Sequence, residues 1–276
     1  MKKQKKCGKK FPHYNQPLDK QMKKHSPCCM LLCLIAVLCS FYLIDSLLFS
    51  CYKVSSNSME PSIMTGKRVF VNKTLMGARI SFLHFGKSLD FVFRLRGLRK
   101  IVPNDVICFN YPHVNDNLST IKYSYEVYCK RVLGCPGDRI GAVDGHCWND
   151  RRLRPIGVVS EQEKLRWMFD GFFKMTNSFD VIPFTDSGWN IKNWGPIIVP
   201  AKGLTVALDD LTRELYRQVI EYETSKQLEE STTEYTFQGD YYFAVGDNSM
   251  SSFDSRYWGF IPEHFIIGIV TVKNSE

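Results

Sequence analysis

A hydroxyl, a lysine that can lose its proton and a polar turn to hold both are enough for hydrolysis, and this sequence carries them in three separate stretches. Ser56-Asn57-Ser58-Met59-Glu60-Pro61-Ser62 supplies hydroxyls. Tyr128-Cys129-Lys130-Arg131-Val132-Leu133-Gly134-Cys135-Pro136-Gly137-Asp138 supplies the lysine. Gly246-Asp247-Asn248-Ser249-Met250-Ser251-Ser252-Phe253-Asp254-Ser255-Arg256 is rich in turn formers. A serine hydroxyl is a weak nucleophile at neutral pH and needs a base beside it. Histidine is the usual base, yet His84, His113, His146 and His264 all stand outside any recognisable catalytic motif. Lys130 is the alternative. On a strand it shares a face with Tyr128 and Val132, and an ammonium in such surroundings loses hydration, which lowers its pKa toward neutrality. The neutral amine can then take a proton from Ser58. Lys130-Arg131 alone reads more readily as two solvated charges at a strand end; the accompanying stretches reverse that reading in favour of chemistry.

The elements that must bring these stretches together read as short strands. Arg68–Val71, Asp105–Phe109, Tyr125–Leu133, Tyr241–Val245 and Phe265–Val272 are β-branched and aromatic runs, punctuated by Gly and Pro. They predict a mainly β domain built on antiparallel pairing. Residues 73–100 are basic and interleaved with Phe82, Phe85, Phe91 and Phe93. They read as a loop or hairpin whose aromatics face the core, or as a loop lying on anionic headgroups. Leu204, Leu208, Leu211, Leu215 and Val219 recur at three- and four-residue steps and predict an amphipathic helix. It belongs to a stretch, residues 141–238, that looks like an α+β subdomain inserted between two parts of one core.

At 276 residues the chain can bury a substantial core. Its charge is concentrated. Residues 1–27 hold nine Lys and one Asp, a net +8 that equals the net charge of the whole chain. A basic tail ahead of an apolar run points to membrane topology rather than to nucleic acid. The run from Cys28 to Tyr52 exceeds the roughly 20 residues that a helix needs to cross a bilayer. Its exit, Phe49-Ser50-Cys51-Tyr52-Lys53, lacks the small-residue pattern of a cleaved signal peptide. An uncleaved single-pass anchor is expected, with the tail in the cytoplasm and the rest outside. Asp45 interrupts the run near its outer end, where a carboxylate costs less than at mid-membrane. Of the ten cysteines only Cys108, Cys129, Cys135 and Cys147 fall in the exported part. They contain no Cys-x-x-Cys pair for zinc, and one disulfide among them is possible with its pairing open.

Taken together, Ser58-Met59-Glu60-Pro61-Ser62, Lys130-Arg131 with Gly134–Asp138, and Gly246-Asp247-Asn248 with Ser252, Asp254, Ser255 and Arg256 closely resemble the three signature boxes of type I signal peptidases. They stand in the family's order behind an amino-terminal anchor. Residues 103–112 resemble its remaining strand box, and Trp194-Gly195-Pro196 is a weaker echo. The likeness covers residues 28–140 and 239–272. It implies that Ser58 is the nucleophile and Lys130 the general base. Ser56 would help the Ser58 backbone N–H to hold the oxyanion, and Ser252 would orient the lysine. Asp254 and Arg256 would form a structural ion pair. Asp247 and Asn248 are expected to make backbone hydrogen bonds in the turn. Met59 is expected to pack near the membrane-facing end. Ser249 and Met250 depart from the pattern, where many members carry Arg and a polar residue.

The resemblance thus implies an anchored serine endopeptidase that removes signal peptides from secretory pre-proteins at the outer face of the plasma membrane. Its substrates would carry small residues one and three positions before the cut and bind extended beside an open strand. No metal or organic cofactor is called for, and the partners are pre-proteins and the lipid bilayer, not nucleic acid. The expected partition is a basic tail (1–27), an anchor (28–52), a β core in two parts (53–140 and 239–276) and the insert (141–238). A self-cleaving Ser–Lys repressor peptidase would begin with a DNA-binding domain instead of an anchor. An inactive peptide-binding relative would have no reason to keep Ser58, Lys130 and Ser252 together.

Overall fold

The computed structural model of the chain describes residues 27–81, 92–114, 121–168 and 189–272. The basic tail, Phe82, Phe85 and Phe91 lie outside the described residues. Pro27–Leu47 is a helix, α1. Its stretch Pro27–Asp45 has mean hydropathy 2.5 and is long and apolar enough to cross a membrane. The apolar run expected to serve whole as the anchor, to Tyr52, divides in two. Phe49–Lys53 is a strand, β1, paired antiparallel with Arg68–Asn72, β2, so that Phe49 lies opposite Asn72 and Lys53 opposite Arg68. The last carbonyls of a helix have no partner within it, and here the sheet supplies some. The Asp45 carbonyl accepts from Lys73 Nζ at 2.5 Å and from Ser50 Oγ at 3.3 Å. The Leu48 carbonyl accepts from the Lys73 backbone N–H at 2.9 Å.

The remaining strands follow in chain order. Arg79–Ser81 (β3) and Val92–Arg94 (β4) form a hairpin base. Val106–Val114 (β5) and Ile121–Gly134 (β6) are the long central pair. Arg139–Val143 (β7), His146–Asn149 (β8) and Trp194–Ile198 (β9) make a three-stranded sheet. Thr205–Ala207 (β10) pairs with Glu234–Thr236 (β11). Tyr241–Val245 (β12), Ile261–Pro262 (β13) and Ile266–Val272 (β14) complete the main sheet. Its order is β1-β2-β14-β5-β6-β12-β13, and every neighbouring pair is antiparallel. This order explains how stretches distant in sequence meet. The turn after β1, the middle of β6 and the turn after β12 all belong to strands of one sheet.

The insert adds α2 (Val159–Arg166), α3 (Asp210–Thr224) and the two small sheets. Most of its buried apolar residues do not form a separate core. Ala142, Trp194, Val199, Tyr216 and Val219 join Ile107, Phe109, Val132, Leu133 and Phe243 in one buried cluster, while Leu165 and Ile191 form a small one of their own. The leucine stripe expected to be one helix is divided between a strand and a helix. Leu204 and Leu208 flank β10, and Leu211 is exposed on α3, which buries Tyr216, Val219 and Ile220 instead. The helix begins where a capping box lets it begin: Asp209 Oδ1 accepts from the Thr212 N–H at 2.8 Å, and Thr212 Oγ1 accepts from the Asp209 N–H at 2.9 Å.

Two further expectations are corrected or completed. In the segment 73–100, Phe93 is exposed rather than core-facing. Arginines fasten the hairpin: Arg79 Nη1 donates to the carbonyls of His264 and Phe265, and Arg94 Nη2 to those of Glu263 and Ile266. The disulfide joins Cys108 to Cys129, directly opposed residues of β5 and β6 with Cα atoms 4.4 Å apart. Cys135 and Cys147 are free.

Candidate active site

Ser58 lies in the turn between β1 and β2, and its neighbour Met59 holds that turn down. Met59 packs with Ile63, Val69, Val71 and Cys108 in a second buried cluster. It is thus a core residue of the turn, and it also borders the cleft described below. The Ser58 carbonyl accepts from the Asn248 N–H at 3.0 Å, and Asn248 Nδ2 donates to the Asn57 carbonyl at 3.3 Å. These bonds fasten the turn after β1 to the turn after β12. Gly246 allows the approach: a Cβ there would collide with Ser252 Oγ and lie 2.5 Å from the Ser58 carbonyl oxygen.

Lys130 sits at the middle of the arrangement, only 3% exposed. Its Nζ donates to Ser58 Oγ at 2.7 Å and to Ser252 Oγ at 2.9 Å. Ser252 Oγ in turn donates to Asp254 Oδ2 at 2.6 Å. Asp254 is fully buried and accepts from the Gly246 N–H and, through both oxygens, from Arg256 at 2.8 and 2.7 Å. Burial works against the carboxylate, but Arg256, Lys130 and the Gly246 N–H hold the Asp254 pKa below the ordinary range. For Lys130 burial dominates. It pushes the amine down to about 8, against the pull of the Asp254 charge and with the help of Arg256.

The site therefore offers an amine that is partly neutral near pH 8, in hydrogen-bond contact with one serine and held from behind by another. Ser56 Oγ lies 3.2 Å from Ser58 Oγ on the solvent side. Asp247 is a correction: its side chain is not spent on the turn. It forms a bidentate pair with Arg131, with Oδ1 and Oδ2 each 2.6 Å from a guanidinium nitrogen, and both residues are buried. Arg131 Nη2 also donates to Ser62 Oγ at 3.1 Å and Nη1 to the Asn104 carbonyl at 3.0 Å. Sequence reasoning gave Arg131 and Gly246 no role. The only signal for either was its place inside a motif, since Arg131 and Asp247 are 116 residues apart.

A cleft of about 380 Å³ opens onto these groups, lined on one side by Tyr52–Ser56 and Met59 and on the other by Val127–Lys130. β12 pairs with β6 only from Arg131 to Gly134. The edge of Val127–Lys130 facing away from β5 has no strand partner among the described residues. Two histidines, His264 and His146, lie in other settings. His264 stacks on Tyr222 and shares a 2.7 Å hydrogen bond with its hydroxyl, and burial lowers its pKa to about 4. His146 pairs with Glu163 at 3.0 Å.

Known proteins can be set beside this arrangement. The signal peptidase family, peptidase S26, matches residues 28–273. Signal peptidase I of Buchnera aphidicola (subsp. Acyrthosiphon pisum) is 27% identical over 83% of this chain and 69% of its own. Signal peptidase I of Haemophilus influenzae is 27% identical over 86% of this chain and 66% of its own. Among solved structures, a signal peptidase I of Enterococcus faecalis aligns with TM-score 0.31 and 17% identity, covering 62% of this chain and 97% of that one. The family match takes in the apolar helix, the whole main sheet and all three stretches that meet at the cleft, and the chain belongs to the signal peptidase family.

Proposed function

We propose that Ser58 and Lys130 are the nucleophile and general base with which this signal peptidase cuts signal peptides from exported pre-proteins. The observation that carries the proposal is the 2.7 Å contact between a lysine depressed to about 8 and a serine hydroxyl at the floor of a peptide-sized cleft. Neutral Lys130 accepts the Ser58 proton as Oγ attacks the scissile carbonyl carbon. The new oxyanion is held by the Ser58 N–H and the Ser56 hydroxyl. As the C–N bond breaks, Lys130 passes its proton to the leaving amine. Lys130 then takes a proton from the water that attacks the acyl ester, and returns it to Ser58 Oγ as the ester C–O bond breaks, which frees Ser58 as the hydroxyl. Ser252 accepts a hydrogen bond from Nζ and gives one to Asp254, which keeps the amine aimed at Ser58. Asp254, Arg256, Asp247 and Asn248 support that geometry without touching substrate.

The substrate binds extended along the open edge of Val127–Lys130, where its backbone replaces the missing strand. Val54, Met59, Val127 and Cys129 make that part of the cleft apolar and shallow, which suits small residues one and three positions before the cut. The Pro27–Leu47 helix anchors the chain in the plasma membrane, with residues 1–27 in the cytoplasm and the β core outside. The test uses the full chain in detergent with a radiolabelled pre-protein. The wild type should release the mature protein and Ser58→Ala should not. Protease added outside spheroplasts should digest residues 53–276; protection of that region would overturn the topology, because substrates are cut after export.

A further inference from the structure

Beyond the pocket for small residues, one side of the cleft carries aromatic rings that the mechanism does not use. Phe253 lines the cleft directly after Ser252 and is 51% exposed. Its ring stacks on Tyr257 with centroids 5.6 Å apart and leans on Tyr111 at 6.4 Å. Tyr111 stacks on Tyr128 at 4.7 Å, and Tyr128 lines the cleft beside Lys130. The rings form a continuous ledge. An exposed phenyl continuous with two half-buried rings gives this side of the cleft an apolar patch on which an apolar group can lie.

From this we infer that the ledge of Phe253 and Tyr128 binds the side chain of the first residue after the cut, and favours an apolar or aromatic one. The inference rests on the proposed Ser58–Lys130 mechanism. Lys130 must hand its proton to the leaving amine, so the amine sits at Nζ, and the other contact of Nζ is Ser252, the residue before Phe253. Alternation along an extended chain fixes the side. Val127 and Cys129 face the apolar pocket, whereas Tyr128 and Lys130 face the other way. A substrate strand continuing that sheet directs the residues one and three before the cut into the pocket, and the first residue after it onto the ledge. The chemistry of the ledge is set by its neighbours. Arg256 lies 5.9 Å over Tyr257 and Lys130 Nζ 6.0 Å from the Tyr128 ring centre. The aromatic faces already serve cations, so a basic side chain meets like charge there and an apolar one does not.

The test is a set of peptides with one signal sequence and Phe, Leu, Ser or Lys as the first residue after the cut, cleaved by the full chain in detergent. The wild type should cut Phe and Leu peptides on the order of tenfold better than the Lys peptide, by kcat/KM. Phe253→Ala should flatten that ranking through KM and leave the preference before the cut unchanged. Phe253→Tyr should restore the ranking, which a general loss of structure would not allow. Equal ranking in wild type and Phe253→Ala, with cleavage intact and abolished by Ser58→Ala, would overturn the ledge alone. Cleavage by Ser58→Ala would overturn the mechanism beneath it.

Discussion

Lys130 and Arg131 are adjacent on β6, and both are sunk in the protein, at 3% and 5% exposure. Their side chains point to opposite faces and find opposite company. Arg131 meets a carboxylate that matches its fork, and it ties Asp247, Ser62 and the Asn104 carbonyl into one knot. Lys130 meets two hydroxyls, and the nearest carboxylate, Asp254, touches it only through Ser252. A buried cation in direct contact with a carboxylate keeps its charge and serves as scaffold. One offered only hydroxyls can give the charge up, and its pKa falls to about 8. The difference between scaffold and base therefore lies in the partners and in the group itself, since burial is shared and a guanidinium keeps its proton in either setting.

Exchanging the chemistry at the first position breaks the comparison most severely. Lys130→Arg keeps the charge and nearly the length, but a guanidinium with a pKa above about 12 cannot act as base. The variant is expected to fold, insert and lose activity by a factor on the order of 10⁴ or more. Replacing His84, His113, His146 and His264 with Gln should leave activity largely intact. In the wild type the rate should climb about tenfold per pH unit below the Lys130 pKa of about 8 and level off above it, because the neutral amine is the active form. The same shift bears on stability. The folded pKa lies below the unfolded value near 10.5, so the unfolded chain binds more protons between about pH 8 and 10.5. The contribution of this group to stability should therefore rise with pH across that window. Activity of Lys130→Arg above a few per cent, with loss in one histidine variant, would end the Ser–Lys mechanism.

The scaffold side of the comparison predicts the reverse pattern. Asp247→Ala leaves a buried guanidinium without its carboxylate and should lower stability by about 3–5 kcal/mol in chemical unfolding of the full chain. The Arg131→Met, Asp247→Leu double variant should lose much less than the sum of the two single changes, because it removes both charges together. If Asp247→Ala unfolded like the wild type, Arg131 would not need its partner.

Motif chemistry could be read from sequence, together with the partnerships that the boxes imply; partnerships outside that pattern could not. Ser58, Lys130 and Ser252 stood out because their neighbours form recognisable boxes, and the structure brings the three within hydrogen-bond reach. The strands Arg68–Asn72 and Tyr241–Val245 stood out because β-branched and aromatic runs suit a pleated core. The Arg131–Asp247 pair was hidden by its sequence separation, and the Cys108–Cys129 bond by the need to know the β5–β6 register. The helical stripe from Leu204 misled because leucines at helical spacing also occur across a strand and a cap. The Asp209/Thr212 box was the better guide to where α3 begins. The apolar run misled in a similar way, since hydropathy cannot tell the end of a membrane helix from an edge strand that follows it.

Ser56 sharpens the comparison from outside the pair of cations. Its hydroxyl lies near Ser58 Oγ and makes no contact with Lys130 Nζ among the described hydrogen bonds. Ser56→Ala should cost on the order of 10² to 10³ in kcat, the effect of one oxyanion donor. Its acid limb should stay where the wild-type limb is, because the lysine keeps all its neighbours. A variant as fast as the wild type would show that another group holds the oxyanion.

The smallest effect comes from a pair that is bidentate like Arg131–Asp247 but in a different setting. Arg99 also grips its carboxylate with two nitrogens, reaching Asp105 at 2.6 and 2.9 Å. Its side chain, however, is 40% exposed, and Asp105 retains the Val102 N–H as a second donor. Water can replace the guanidinium at little cost, so the pair contributes about 0–1 kcal/mol. Arg99→Gln should accordingly unfold within about 1 kcal/mol of the wild type, and the difference should shrink further in high salt. A loss comparable to that of Asp247→Ala would mean that bidentate geometry alone sets the strength of these pairs. A negligible loss assigns the strength of the Arg131 knot to its burial, the same condition that, with different partners, drives the proton from Lys130.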